Sequence, residues 1–200
     1  LGFFTSDNLK DWEMTSKIDG FYECPELFEL ALDGDESNKM WVLYGASGDY
    51  FIGEFDGKTF TPDGDLIKFS YGDCFYASQT WNDVPEEDGR RIQIGWARVN
   101  WYPGMPFNQM MNSPLELSLR TTDEGTRMCA VPVREMISLR EKKYSWENQE
   151  LVEGKNLLRD VEGEFFDIVA EIEIKDAKTV GFVVGGVEVF YDAIKQELVG

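Results

Sequence analysis

Short apolar runs alternate with turn signals along most of this chain, and hardly any window of a dozen residues keeps a 3.6-residue period. That pattern predicts an all-β protein. Candidate strands are Leu27 to Leu30, Met40 to Ala46, Tyr50 to Phe55, Cys74 to Thr80, Ile92 to Arg98 and Leu115 to Arg120. Between them lie Asp33-Gly34-Asp35, Asp56-Gly57-Lys58, Pro62-Asp63-Gly64 and Glu87-Asp88-Gly89, each with a residue tolerant of positive φ, as tight hairpins require. A weak internal repeat accompanies the strands. Gly2-Phe3-Phe4-Thr5-Ser6-Asp7 with Trp12 after it resembles Gly53-Glu54-Phe55-Asp56 with Phe60 after it, and Ile94-Gly95-Trp96 follows further on. A period of about 40 to 50 residues with several strands per unit is what propeller blades give, and unrelated aromatic hairpins are the alternative.

From about Val133 the texture changes to mixed charge through Arg134 to Lys143, followed by Tyr144-Ser145-Trp146. The boundaries expected are a first β unit over 1–132, a linker over 133–145 and a second unit over 146–200. In the second unit, Phe165 to Ile174 ends in an apolar and acidic alternation that predicts a half-buried antiparallel strand, and Val180 to Phe190 predicts a strand pair broken at Gly185-Gly186. This unit reads as the beginning of a β-sandwich. The chain opens on strand-like Leu1 to Thr5 and closes on Leu198-Val199-Gly200, so both ends are expected to be cuts through a larger protein.

Charge narrows the function classes. Lys and Arg number 19 against 38 Asp and Glu, giving a net charge of −19 at pH 7. Such a surface repels nucleic acid and anionic lipid. With 42% hydrophobic and 14% aromatic residues the chain can still bury a core, so the acidity does not signal disorder. Histidine is absent, which excludes Ser-His-Asp and Cys-His catalysis and HExxH zinc sites. Carboxylates must then carry any acid–base chemistry. Cys24, Cys74 and Cys129 stand too far apart for a CxxC metal or redox site, and no apolar run is long enough to insert in a membrane.

One segment carries more specific chemistry. Tyr22-Glu23-Cys24-Pro25-Glu26-Leu27-Phe28-Glu29-Leu30 resembles the Glu-Cys-Pro motif of the invertase, levanase and inulinase family of fructan hydrolases, glycoside hydrolase family 32. Three further segments resemble family motifs in family order: the hairpin Tyr50 to Phe60, the strand Phe75-Tyr76-Ala77-Ser78-Gln79-Thr80-Trp81, and Arg91-Ile92-Gln93-Ile94-Gly95-Trp96. Gly104-Met105-Pro106-Phe107-Asn108-Gln109 and Ser113-Pro114-Leu115-Glu116-Leu117 resemble the close of the catalytic domain, especially in levanase-like members.

The resemblance implies part of a five-bladed β-propeller over 1–132, followed by part of a β-sandwich. It also implies a secreted or periplasmic setting, a fructan or sucrose substrate, and no metal or organic cofactor. Family members carry an aspartate nucleophile near the N-terminus, an aspartate in an Arg-Asp-Pro motif, and the glutamate of Glu-Cys-Pro; only the last has a counterpart here. Glu23 is therefore the expected general acid/base. A retaining glycosidase uses one carboxylic acid to protonate the leaving oxygen and a second carboxylate to attack the anomeric carbon. Cys24, Asp73, Tyr76 and Trp96 are the expected substrate-binding residues, with Tyr22 and Cys24 excluding water. Cys74 stands where many members have an aspartate, and Asp73 lies one position earlier, which on a strand faces the other way unless the loop bulges.

Two look-alikes are set aside. Trp81-Asn82-Asp83-Val84-Pro85 has a valine where the Asn-Asp-Pro nucleophile motif would be continuous, so Asp83 is read as a surface turn residue. Arg159-Asp160-Val161 falls beyond the linker and is read as an exposed loop. Two rival functions stand beside the hydrolase: a non-catalytic carbohydrate-binding module, and a sucrose-6-phosphate hydrolase, whose phosphate would want a basic pocket that a chain of this charge offers only locally.

Overall fold

Phe28 and Leu30 are buried while Glu29 between them is exposed, the two-residue period of a half-buried strand. The computed structural model describes residues 1–72, 74–98 and 103–200, and strands of this kind dominate it. In chain order they are β1 (Gly2–Thr5), β2 (Glu13–Lys17), β3 (Glu26–Leu32), β4 (Asp35–Tyr44), β5 (Asp49–Phe55), β6 (Phe60–Pro62), β7 (Ile67–Lys68), β8 (Tyr76–Thr80), β9 (Arg91–Ala97), β10 (Met110–Met111), β11 (Leu115–Thr122) and β12 (Gly125–Pro132). A 3₁₀ turn over Arg134–Leu139 closes the first of two units, Leu1–Leu139. The second, Arg140–Gly200, holds β13 (Thr179–Val184), β14 (Val187–Asp192) and β15 (Glu197–Val199).

Within the first unit, β1 and β2 pair as a hairpin, and two antiparallel meanders share one larger sheet. The first meander runs β3, β4, β5, β6, with β7 added to β5. In the second, β8 pairs with β9, whose other edge is shared by β10 and β11, and β12 completes the hairpin with β11. The meanders meet at a parallel contact between Leu119 and Leu32. Asp33, at φ +54 in the turn after β3, reinforces it: its N–H donates to the Leu119 carbonyl at 3.0 Å, and its carboxylate accepts from Thr121 N–H at 2.9 Å and from the Thr121 hydroxyl at 2.7 Å.

Phe28, Leu30, Val42, Tyr44, Tyr50, Ile52, Leu117, Leu119 and Met128 form the core between the meanders. Phe69 links its aromatic members, meeting Tyr44 at 5.9 Å, Tyr50 at 6.5 Å and Phe75 at 5.9 Å edge-on, geometry that adds to simple area burial. The Tyr50 hydroxyl accepts from the Met128 N–H at 2.9 Å, so even the polar tip of a core residue joins the two meanders.

The structure extends and corrects the sequence reading. β4 begins five residues before Met40, because its polar start is exposed and leaves no hydrophobic trace. β12 adds to the strands expected; its central residues are half-buried or buried without a two-residue alternation, and it is held by its ladder with β11. In the second unit Phe165 to Ile174 forms no strand, and Phe165 is 93% exposed. Alternation alone does not make a strand where no neighbouring strand completes the ladder. Val180 to Phe190 does fold as the expected hairpin, with positive φ at both Gly185 and Gly186.

Arg90 anchors the 3₁₀ turn to the β8–β9 loop. Its side chain is only 11% exposed, and its guanidinium donates to both oxygens of Glu135, at 3.0 and 2.9 Å, and to Asp88 at 2.7 Å. Arg134 reaches Asp88 at 3.3 Å from the other side. The Arg90 hydrogen bonds hold the Glu135 carboxyl down at about 2 and push the Arg90 guanidinium up. A carboxyl held below its unfolded value of 4.5 stabilises the fold fully above that pH, and the contribution fades as pH falls toward 2. Glu135→Gln is therefore expected to lower the urea midpoint at pH 7, with the gap to wild type narrowing progressively as pH falls from 4.5 toward 2. Leu119→Ala should cost about 2–5 kcal/mol across that range, because it opens a cavity at the meander junction.

Candidate active site

Glu23 sits just ahead of β3, where the backbone makes an uncommon turn. Cys24 has φ +48 although it is neither glycine nor free to relax, since Pro25 follows it. Such a conformation persists only where the surroundings over-determine it. Here the Glu23 carbonyl accepts from Ala46 N–H at 3.0 Å, and the Ala46 carbonyl accepts from Ala77 N–H at 3.0 Å. Two backbone bonds thus run from the entry of β3, past the end of β4, into β8 of the other meander. Glu26 fastens the same join, accepting from Thr80 N–H with both carboxylate oxygens at 2.9 Å and from the Thr80 hydroxyl at 3.0 Å.

β8 arrives with a bulge. Tyr76 pairs with Trp96, but the next pair is Gln79 with Ile94, so three steps on β8 span two on β9, and Ala77 takes φ +45. A bulge re-aims the residue beside it. The result is a direct hydrogen bond from the Tyr76 hydroxyl to Oε1 of Glu23, joining residues 53 apart in sequence. Trp96 stands edge-to-face on Tyr76 at 6.1 Å, and the Arg98 guanidinium lies 4.6 Å from the centre of the same ring. The Glu23 hydrogen bond pushes the Tyr76 phenol above its ordinary value of 10, so it remains a donor throughout the neutral range. Glu23 itself is exposed, while Tyr76 and Trp96 are half-buried.

Two glycines make this approach possible. A Cβ on Gly95 would stand 2.5 Å from the Phe75 ring, and one on Gly45 would stand 2.4 Å from the Phe21 ring. Phe75 immediately precedes Tyr76, and Phe21 lies two residues before Glu23. Each ring therefore fills the space that a side chain would take on the neighbouring backbone, and so helps to place the residues that follow it.

The structure brings Glu23, Tyr76 and Trp96 together as the sequence suggested. Cys24 is half-buried beside them, within electrostatic reach of the Tyr76 hydroxyl. Asp73 lies outside the described residues. Tyr22 is 93% exposed, so it does not cover Glu23 as expected. Asp83 is exposed in a turn with φ +56, and Asp160 is exposed in the second unit. Sequence reasoning missed Arg98, although it stands two residues after Trp96, the spacing that shares a strand face. It also gave no role to Gln109, whose Oε1 accepts from the Trp96 indole N–H at 2.7 Å. Among the described residues, no group of three His, Cys, Asp or Glu side chains is placed to hold a metal ion.

The family model described as the glycosyl hydrolases family 32 N-terminal domain matches residues 1–132, a span that contains every contact just described. The chain belongs to glycosyl hydrolase family 32. A levanase of Bacillus subtilis is 33% identical over 205 residues, taking in 90% of this chain and 30% of that protein. An extracellular exo-inulinase of Aspergillus niger is 35% identical over 173 residues, covering 71% of this chain and 32% of its own length. The crystal structure of exo-inulinase from Aspergillus awamori superposes with a TM-score of 0.55 at 30% identity, over 66% of this chain and 31% of that one. That of fructan 1-exohydrolase IIa from Cichorium intybus gives 0.56 at 21% identity, over 70% and 31%, a likeness of fold. The fold is thus the β-propeller of family 32 hydrolases, and the chain spans about a third of the length of these relatives.

The glycine seats give a direct test. Gly95→Ala should destabilise the first unit by about 1–3 kcal/mol in chemical denaturation, because a methyl group forced under Phe75 must move the ring or the strand. Strand propensity alone favours alanine over glycine, so a Gly95→Ala variant whose denaturation midpoint stays unchanged or rises would remove the Phe75 ring contact as the constraint.

Proposed function

We propose that this chain supplies the general acid/base, Glu23, of a retaining β-fructofuranosidase that cleaves levan, inulin or sucrose. The observation that carries this reading is the Tyr76–Glu23 hydrogen bond, which links two of the family-like segments through a half-buried aromatic pair. In the proposed reaction Glu23 gives its proton to the glycosidic oxygen as the bond to the fructosyl carbon breaks, then takes a proton from the water that releases fructose. The hydrogen bond from Tyr76 fixes Oε1, and Oε2 exchanges the proton. Tyr76 and Trp96 offer aromatic walls to the apolar face of the fructosyl ring, with Cys24 closing the side nearest Glu23. The attacking carboxylate belongs to a part of the protein outside these 200 residues.

In the intact protein, Glu23→Gln keeps the shape but cannot cycle a proton, so fructose release from levan or inulin should fall by about 10² to 10⁴. Substrates with activated leaving groups, which need less proton assistance, should suffer less. Turnover of natural fructan within a few-fold of wild type would remove Glu23 from the mechanism. The 200-residue chain alone, assayed on levan, inulin and sucrose, should release no fructose, since a retaining mechanism needs both carboxylates. Robust release abolished by Glu23→Gln would place the nucleophile inside this chain.

A further inference from the structure

The segment Gln109–Asn112 buries little. Met110 and Met111, which make up β10, are both more than half exposed, so the strand is not held in place by a contribution to the core. What surrounds them is polar and specific. Gln109 accepts from the Trp96 indole N–H at 2.7 Å; the Asn112 N–H donates to the Gly95 carbonyl at 2.9 Å, and the Asn112 side-chain amide donates to the Cys74 carbonyl at 3.0 Å. Both side chains are half-buried. β10 itself lies beside β9 with Met111 opposite Trp96, and Tyr76 is opposite Trp96 on the other edge.

We propose that Gln109 is a positioning residue for the acid/base, acting through the Trp96 indole and the Tyr76 ring on Glu23. This rests on the reading of Glu23 given above. An indole has one N–H donor, in the plane of the ring, and its second side-chain torsion is broad and soft. A single acceptor at 2.7 Å therefore selects one ring orientation. Because Trp96 meets Tyr76 edge-on, turning the indole changes the surface against which the phenol rests, and the phenol carries the hydrogen bond to Glu23. Asn112 fixes the far end of the short strand that Gln109 precedes, and holds the carbonyl two residues ahead of Tyr76. The chain Gln109, Trp96, Tyr76, Glu23 is continuous in contact, and each link is directional.

The test uses the intact protein and three variants. Gln109→Leu removes the acceptor at similar size, Gln109→Glu keeps an acceptor, and Trp96→Phe removes the donor. Gln109→Leu should lower kcat on levan by about 5- to 20-fold with KM changed by less than about 3-fold, the scale of one lost positioning hydrogen bond. Gln109→Glu should stay within about 3-fold of wild type. On a Trp96→Phe background, Gln109→Leu should cost less than about 2-fold more, because residues acting through one contact are not additive. The ¹H–¹⁵N resonance that disappears in Trp96→Phe reports the indole without reference to activity, and it should shift in Gln109→Leu.

An unshifted indole resonance would overturn the contact. A shifted resonance with undiminished kcat, equal losses in the Leu and Glu variants, or full additivity with Trp96→Phe would overturn the positioning role. Failure of Glu23→Gln to slow turnover would instead overturn the acid/base reading, so the two failures are told apart.

Discussion

The candidate site depends on a join between two β-meanders that share no long ladder. Leu119 and Leu32 supply one parallel contact, and the shared core, the Tyr50–Met128 hydrogen bond and groups near the strand ends supply the rest. Near Glu23, the Ala46 and Ala77 amides carry the backbone across, and Glu26 receives three hydrogen bonds from Thr80. Hydrogen bonds to an ionised group contribute about 1.5–3 kcal/mol each where they are partly shielded. Glu26 is half-buried, so its bonds are screened less than those of a surface pair. Without this join Glu23 and Tyr76 would belong to separately moving sheets. With it, their separation is set by the same bonds that close the fold.

Polar groups inside the join carry a cost of their own. Tyr44, Ser78 and Gln93 are all fully buried, one each on β4, β8 and β9, and burial pushes the Tyr44 phenol up to about 12. Ser78 and Gln93 lie near that phenol, yet among the described residues the Tyr44 hydroxyl, the Ser78 hydroxyl and the Gln93 amide complete no hydrogen bond. Buried polar groups gain from one arrangement of their neighbours far more than apolar ones do. Left without partners, buried polar atoms cost about 1–3 kcal/mol each, so these three side chains weigh against the core rather than adding to it.

Much of this was legible in the sequence, and the reasons for the exceptions are physical. Strands with one face in the core announced themselves through alternation, as Phe28 and Leu30 do. Turns were visible where Asp-Gly pairs need positive φ, and Asp33 and Gly34 adopt it. Glu23, Tyr76 and Trp96 were found because their neighbours form recognisable segments. Alternation misled at Phe165 to Ile174, where no adjacent strand completes a ladder. Gln109 and Arg98 escaped because their roles arise from strand pairing. Nothing local to Gln109 says that its side chain will reach the Trp96 indole, since that requires the pairing of β9 and β10 first. Cys24 and Ala77 likewise carry positive φ without being glycines, and only the folded surroundings enforce it.

The glycine seats show how core packing and chemistry become one constraint. Phe21 lies on Gly45 and meets Phe51 edge-on at 5.6 Å, and Phe75 lies on Gly95 and meets Phe69, which touches both Tyr44 and Tyr50. These rings are packing residues by every local criterion. Yet the chain reaches a site residue within two positions of each of them, so a displaced ring shifts the backbone that carries Tyr76 or Glu23. A hydrogen bond weakens steeply when its angle or length departs from the optimum, whereas an aromatic contact loses only a fraction of its energy over the same displacement. The core can therefore tolerate small changes that the Tyr76–Glu23 bond cannot. It follows that substitutions beneath Phe21 and Phe75 disturb the site together with the fold, and that the site inherits its precision from two positions that carry no side chain at all.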